Sequence, residues 1–183
     1  MYRVLIISVV IGWAINIKAQ IKVACVGNSI TENIALSNEQ KYPSILQDLL
    51  GNGYIVRNYG IGARTVLKKG DYPYWNEERY KEVLAWNPDI VIVKMGTNDA
   101  KAQNWAYKDN FESDYIEFIL SFQTLPSHPK VFICYPIPTF KDNFLPVDDQ
   151  LLVKEMMPMI DNISKATCAD IIDLHTPLVG KDD

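Results

Sequence analysis

Short runs of apolar, β-branched residues alternate with amphipathic segments along the chain, and this alternation restricts the fold more than any other feature. Val and Ile occupy consecutive as well as alternate positions in these runs, which is typical of parallel strands buried on both faces. The runs cover residues 21–26, 55–59, 89–95, 131–135 and 169–174. With helices and right-handed crossovers between them, they predict an α/β fold, a three-layer α/β/α sandwich with a five-stranded parallel sheet.

Apolar residues at helical spacing predict the segments that cover the sheet. One helix follows Lys41, a second ends at Asn87 before Pro88, and a third lies within 111–122. A fourth is expected to start behind the capping residue Asp148 and to be kinked by Pro158.

Length and charge exclude several classes of function. The chain has 183 residues, 48% of them hydrophobic, and a net charge of −4, which suits one globular domain. A sequence pI near 5.2 and the lack of a Lys/Arg cluster argue against nucleic-acid binding. Cys25, Cys134 and Cys168 have spacings that fit neither a disulfide framework nor a metal site, so we expect buried free thiols, no metal and no cofactor.

Residues 1–19 have the pattern of a secretory signal peptide. Arg3 supplies the positive start, residues 4–15 the apolar stretch, and Ala19 a small residue before the expected cleavage site. The alternative is a membrane anchor, but this stretch is short of the ~20 residues that span a bilayer. We therefore expect a domain of residues 20–183 that is secreted or periplasmic.

Polar motifs follow three of the predicted strands. Ser29 comes directly after the first strand, where a hydroxyl at the carboxyl edge of the sheet can act as a nucleophile or can simply cap a helix. The glycine-containing loop 60–65 follows the second strand and can offer main-chain amides. Asn98 follows the third strand, where its amide can donate to an oxyanion or can cap the turn beside Asp99.

The three motifs, in this order and each at a strand end, resemble the first three blocks of the SGNH (GDSL-type) hydrolases. The resemblance covers roughly residues 21–178 and implies a serine esterase with flavodoxin-like strand order. It implies that Ser29 is the nucleophile. It also implies an oxyanion hole formed by the amides of Ser29 and Ala63 and by the side chain of Asn98.

Departures from the family pattern affect the expected activity. Asn28 replaces the Asp of the first block, and Ala63 stands where the family has Gly, so its φ must be compatible. The last block, Asp-x-x-His, is missing before both His128 and His175, and we expect the chain to end ahead of it. A base formed by His175 with Asp173 as its partner is a weaker alternative, because both are expected to lie away from the nucleophile.

Together these features predict an exported serine esterase that removes O-acyl or O-acetyl groups from a carbohydrate through an acyl-serine, impaired in the chain as given. The partner is a small-molecule or carbohydrate ester, with no nucleic acid and no stable membrane anchor. The alternative is a non-catalytic module that binds an acylated glycan. Aromatic residues in 71–76, together with Trp105, either line the pocket or pack beneath the loops.

Overall fold

The computed structural model describes residues 19–139 and 147–181, and five parallel strands form a single sheet within them. Their order is β2-β1-β3-β4-β5, which confirms the predicted fold class and the flavodoxin-like order that the resemblance implies. The strands are β1 (Ile21–Gly27), β2 (Tyr54–Gly60), β3 (Ile90–Lys94), β4 (Lys130–Cys134) and β5 (Asp170–Ile172). The predicted signal peptide lies outside the described residues apart from Ala19, so it stays a prediction.

Helices connect the strands, and those predicted from periodicity are confirmed. They are α1 (Ser29–Glu32), α2 (Tyr42–Leu50), α3 (Glu78–Trp86), α4 (Ala102–Trp105), α5 (Phe111–Gln123), α6 (Asp149–Leu151) and α7 (Met157–Thr167). A π-helical turn, Leu152–Met156, joins α6 to α7 just before Pro158, where a kink was expected. Asp148 is the predicted cap, and its Oδ1 accepts from the Gln150 amide at 3.0 Å. Within the described ranges, the helices are too short or too polar to cross a bilayer.

Two predictions near the last strand need correction. β5 has only three residues, because the Asp173 carboxylate accepts the amides of His175 and Thr176, both at 2.9 Å, and turns the chain. Cys168 is a free but exposed thiol at the left-handed end of α7, whereas the expected burial holds for Cys25 and Cys134. Burial raises the pKa of each of these two thiols to about 12.

One face of the sheet is closed by α3, α5 and α7. Val26, Val93 and Ile133 point into this layer and are fully buried there. Rings from α3 and α5 also fill it, as in the stacked pair of Tyr80 and Phe118, whose centroids are 5.5 Å apart. This layer is the main core, and it fixes the strands whose ends carry the polar motifs.

The other face carries one long helix, α2, in the described part of the chain. Beside this helix lies a groove of about 460 Å³, and its lining is apolar except for Lys94. The Lys94 side chain is buried, and its Nζ has no hydrogen-bond partner among the described residues. Burial lowers the pKa of this ammonium group to about 8. The charge at Lys94 therefore costs stability at neutral pH.

Lys94→Met in a protein of residues 20–183 should raise the free energy of unfolding at pH 7 by on the order of 1–3 kcal/mol, because methionine removes the desolvated charge. The destabilisation by the Lys94 charge is complete below about pH 8, the pKa of this group in the folded protein. It declines between about pH 8 and pH 10.5, the pKa in the unfolded chain, because the folded protein loses the proton first. The gain should therefore be larger at pH 7 than at pH 10 in urea denaturation.

Lys81→Met is the matched control, since the Lys81 side chain is 66% exposed, and its effect should stay within about 0.5 kcal/mol. A loss of stability in Lys94→Met at pH 7 would contradict this account.

Candidate active site

Three loops leave the sheet side by side at its carboxyl edge. β1 lies between β2 and β3, and Gly27 is in register with Gly60 on one side and with Lys94 on the other. The residues that follow these three positions therefore start from the same level of adjacent strands. This register brings together the three motifs that lie far apart in the sequence.

Ser29 begins α1 with its side chain exposed. The cap of this helix is Asn28, a buried residue whose Oδ1 accepts from the Ile30 amide at 3.1 Å. The capping role that competed with catalysis in the sequence therefore belongs to Asn28. Within the described residues the Ser29 hydroxyl makes no hydrogen bond, which leaves it accessible to a substrate.

The helix can reach this position only because glycines end the first two strands. A Cβ added at Gly60 would collide with the main chain of Glu32, and one at Gly27 would collide with the Thr31 side chain. The main chain of α1 therefore rests directly on the end of β2, and its Thr31 side chain packs on the end of β1.

Residues 60–65 form the loop opposite Ser29. A Cβ built on Gly62 would lie 3.7 Å from the Ser29 Cβ, so the loop is in van der Waals reach of the nucleophile. The Gly62 amide donates to Glu32 Oε2 at 2.6 Å, and the Gly62 carbonyl accepts from Arg64 Nη1 at 2.8 Å. These two contacts hold the loop from both sides.

Ala63 lies in this loop with φ of 66°, in the left-handed region that favours glycine. Its N–H donates no hydrogen bond within the described residues. The backbone therefore has the conformation that the family's glycine would adopt. The amide of Ala63 is left available as a donor.

Asn98 connects the third motif to this loop. The side chain is buried, and its Nδ2 donates to the main-chain carbonyl of Arg64 at 3.1 Å. The main-chain carbonyl of Asn98 accepts from Asn104 Nδ2 at 2.8 Å. A carboxamide has two N–H donors, so the second remains for an oxyanion. The start of α1 with Ser29 and the two loops with Ala63 and Asn98 thus lie at one edge of the sheet. Hydrogen bonds and close packing join these three segments.

Asp99, beside Asn98, is an acceptor for main-chain amides. Its Oδ1 accepts the amides of Val66 and Leu67, both at 2.8 Å, and fastens the chain that follows the loop. The side chain is fully buried, and burial raises the pKa of its carboxyl group to about 7.

Neither histidine contacts Ser29 in the described residues. His128 lies in the turn before β4, at the amino edge of the sheet. His175 follows β5, three strand spacings from β1 or roughly 14 Å at the usual interval. Its Nδ1 is 3.1 Å from the Pro136 carbonyl, and Asp173 binds main-chain amides instead of the imidazole. The alternative dyad is therefore not formed.

The GDSL-like Lipase/Acylhydrolase family model matches residues 25–183. The chain belongs to this family. The described part of this GDSL-like hydrolase holds no group of three or more His, Cys, Asp or Glu side chains placed to bind a metal ion.

Known relatives of this hydrolase include esterases. An acetylxylan esterase from Xylanibacter ruminicola is 38% identical over 182 residues, which covers 89% of this chain but only 38% of that protein. The crystal structure of an acetyl xylan esterase is 27% identical, has a TM-score of 0.68 and is matched over 87% of this chain and 80% of that one. A carbohydrate acetylesterase from Sinorhizobium meliloti, 19% identical with a TM-score of 0.66 over 84% of each chain, shows the fold alone.

Most aromatic residues near the site of this hydrolase pack in the interior. Tyr74 is fully buried, and its hydroxyl donates to the Tyr59 carbonyl at 2.5 Å. Trp105 is 7% exposed and donates to Glu155 at 3.1 Å. The packing alternative therefore holds for these residues, while Tyr72 is 55% exposed.

Sequence reasoning missed Glu32 and the full role of Arg64. Glu32 follows Ser29 by three residues on α1, and this spacing on one helical turn was the available signal. Arg64 is paired with a carboxylate of the protein itself. Its Nε and Nη2 each lie 2.8 Å from Glu77 Oε1.

Ala63→Gly should raise the free energy of unfolding by roughly 0.5–1 kcal/mol. The left-handed conformation costs a non-glycine residue about 1–2 kcal/mol, and part of this gain is offset by the greater freedom of glycine in the unfolded chain. Urea denaturation measures the change. Ala85→Gly, at an exposed position in the last turn of α3, is the control and should lose up to about 1 kcal/mol. Equal losses in both variants would refute the strain at Ala63.

Asp99→Ala should lower the free energy of unfolding by about 2–4 kcal/mol, because the buried amides of Val66 and Leu67 lose their acceptor. Asp99→Asn keeps an oxygen at this place and should lose less. The raised pKa makes the contribution of the native carboxyl group fall as pH rises from 3.8 to about 7. This part of the pH dependence should vanish in Asp99→Asn when urea denaturation is compared at pH 5 and pH 8. If the free energy of unfolding of Asp99→Asn changed between pH 5 and pH 8 as much as that of the parent, the pH dependence would belong to another group.

Proposed function

We propose that this hydrolase cleaves acetyl esters of a carbohydrate through an acyl-serine intermediate. The observation that carries the proposal is the convergence of an exposed Ser29 with the amide of Ala63 and the carboxamide of Asn98. A nucleophile next to preorganised donors is the arrangement that acyl transfer requires.

In the proposed reaction, Ser29 Oγ forms a bond to the ester carbonyl carbon and gives its proton to a base. The negative charge that develops on the carbonyl oxygen is stabilised by the main-chain N–H groups of Ser29 and Ala63 and by the Asn98 side chain. Collapse of this intermediate breaks the bond to the sugar oxygen, which takes up the proton. Water then attacks the acetyl-serine and releases acetate.

The identity of the base limits what these residues do alone. The family's Asp-x-x-His does not occur in the 183 residues, and neither described histidine contacts Ser29. Without a base, serine hydrolases retain roughly 10³ to 10⁴ of rate enhancement over water from the oxyanion hole and binding. We therefore propose that residues 20–183 acylate slowly and contain the nucleophile and oxyanion half of the reaction.

The acetylated carbohydrate is proposed as substrate on the strength of the relatives. The protein that is 38% identical is named an acetylxylan esterase, and so is the solved structure that is 27% identical. Because the chain spans about two fifths of the first of these proteins, the substrate is assigned here as a class, an O-acetylated sugar. Export of the chain, as the signal-peptide pattern predicts, is consistent with a polymeric glycan outside the cell as the substrate.

A second candidate is the non-catalytic module that recognises an acylated glycan. The separation of both histidines from Ser29 favours it, since donors without a base can bind a carbonyl group and leave it intact. The two candidates differ in whether Ser29 becomes acylated.

Incubation of residues 20–183 with p-nitrophenyl acetate should add one acetyl group, and peptide mass spectrometry should place it on the segment that contains Ser29. Ser29→Ala should abolish the adduct and lower p-nitrophenol release to the rate in buffer, because the variant lacks the attacking hydroxyl. Ser113→Ala, at an exposed serine of α5, should acylate as the parent does.

An adduct that persists in Ser29→Ala would remove Ser29 from the mechanism. Binding of an acetylated xylo-oligosaccharide without any adduct would favour the glycan-binding module instead.

A further inference from the structure

Tyr72 is the exposed ring beside the oxyanion loop. Its exposed fraction is 55%, compared with 7% for Trp105 and 0% for Tyr74. This exposure leaves an aromatic surface open to a ligand beside the oxyanion loop.

The main chain at Tyr72 is attached to the oxyanion loop and, through its neighbour, to the third motif. The Tyr72 carbonyl accepts from the Thr65 amide at 3.0 Å, two residues after Ala63. The preceding residue, Asp71, donates its amide to Asn104 Oδ1 at 2.9 Å, and the same Asn104 donates to the Asn98 carbonyl. The position of Tyr72 is therefore fixed relative to the oxyanion donors.

The ring is also held by a cation. Arg64 Cζ lies 5.6 Å from the centroid of the Tyr72 ring, within the range of a cation–π contact. Arg64 is itself fixed by Glu77 and by the Gly62 carbonyl, which belongs to the loop in reach of Ser29. A short chain of contacts thus leads from the nucleophile through Gly62 and Arg64 to the exposed ring.

The residue before the ring is held by two carboxamides of α4. The Asp71 carboxylate accepts from Asn104 Nδ2 at 2.9 Å and from Gln103 Nε2 at 3.3 Å. An open aromatic face next in sequence to these polar groups suits a ligand that has an apolar ring face and hydroxyl groups around its rim. A pyranose has this chemistry, because its C–H groups form the face and its hydroxyls the edge.

We propose that Tyr72 is the stacking platform for a sugar ring adjacent to the residue whose acetyl group reacts at Ser29. The inference rests on the proposed function, because it assigns the part of the carbohydrate that does not react. Tyr72 is then a specificity-determining residue. It binds the glycan through its ring, and its hydroxyl is dispensable.

The test is the affinity of residues 20–183 for xylohexaose, measured by isothermal titration calorimetry. Tyr72→Ala should weaken binding about 3- to 10-fold, the effect that an aromatic contact commonly supplies. Tyr72→Phe keeps the ring and should bind within about 2-fold of the parent. Tyr107→Ala is the matched control, because Tyr107 is 42% exposed, contacts Lys69 and makes no contact with the oxyanion loop in the described residues.

Acetylation of Ser29 by p-nitrophenyl acetate separates the two proposals. This reagent carries no sugar, so acetylation of the parent tests the nucleophile alone, while the fall in the xylohexaose affinity of Tyr72→Ala tests the platform. Unchanged affinity in Tyr72→Ala, equal losses in Tyr72→Ala and Tyr107→Ala, or no binding of xylohexaose by the parent would each overturn the platform, even where Ser29 is acetylated. Failure of Ser29 to acetylate in the parent would instead overturn the proposed function.

Discussion

The close packing of α1 on the glycines that end β1 and β2 is the constraint on which the site depends. Gly27 and Gly60 are in register, and no side chain fits at either position. Because the main chain of α1 rests on Gly60 and the Thr31 side chain packs on Gly27, Ser29 and the loop around Gly62 come within van der Waals reach. A larger residue at either strand end would separate the nucleophile from its oxyanion donors.

Buried or partly buried carboxylates maintain this geometry without taking part in the proposed chemistry. Glu32 accepts the Gly62 amide, Asp99 accepts the amides of Val66 and Leu67, and Glu77 holds Arg64. Each occupies donors near the loop and leaves the Ala63 amide unpaired among the described residues. The acceptors hold the loop, and the donors face the substrate. Asp99 lies beside Asn98 but is one of these acceptors, so it need not act as a base.

The sequence predicted the sheet and the long helices, because apolar periodicity is a local signal, and the strand order was implied by the family resemblance that the strand-end motifs carry. It predicted less well where tertiary contacts decide. The turn made by Asp173 shortens β5, and the left-handed end of α7 exposes Cys168. The spacing of Glu32 from Ser29 places both on one helical turn, but the partner of Glu32 lies thirty positions away, so the local pattern does not reveal what Glu32 binds. Ser29, Ala63 and Asn98 were predicted as a group, and the structure brings their loops together; their catalytic roles stay a prediction.

The positive φ of Ala63 has a consequence for how such proteins diversify. The donor at this position is an N–H group that every residue except proline possesses, so the chemistry is encoded in a backbone torsion and not in a side chain. Exchange of glycine and alanine here changes the strain in the loop while the direction of the N–H is kept. Any substitution at this position that keeps the positive φ therefore keeps the donor, whereas proline removes it.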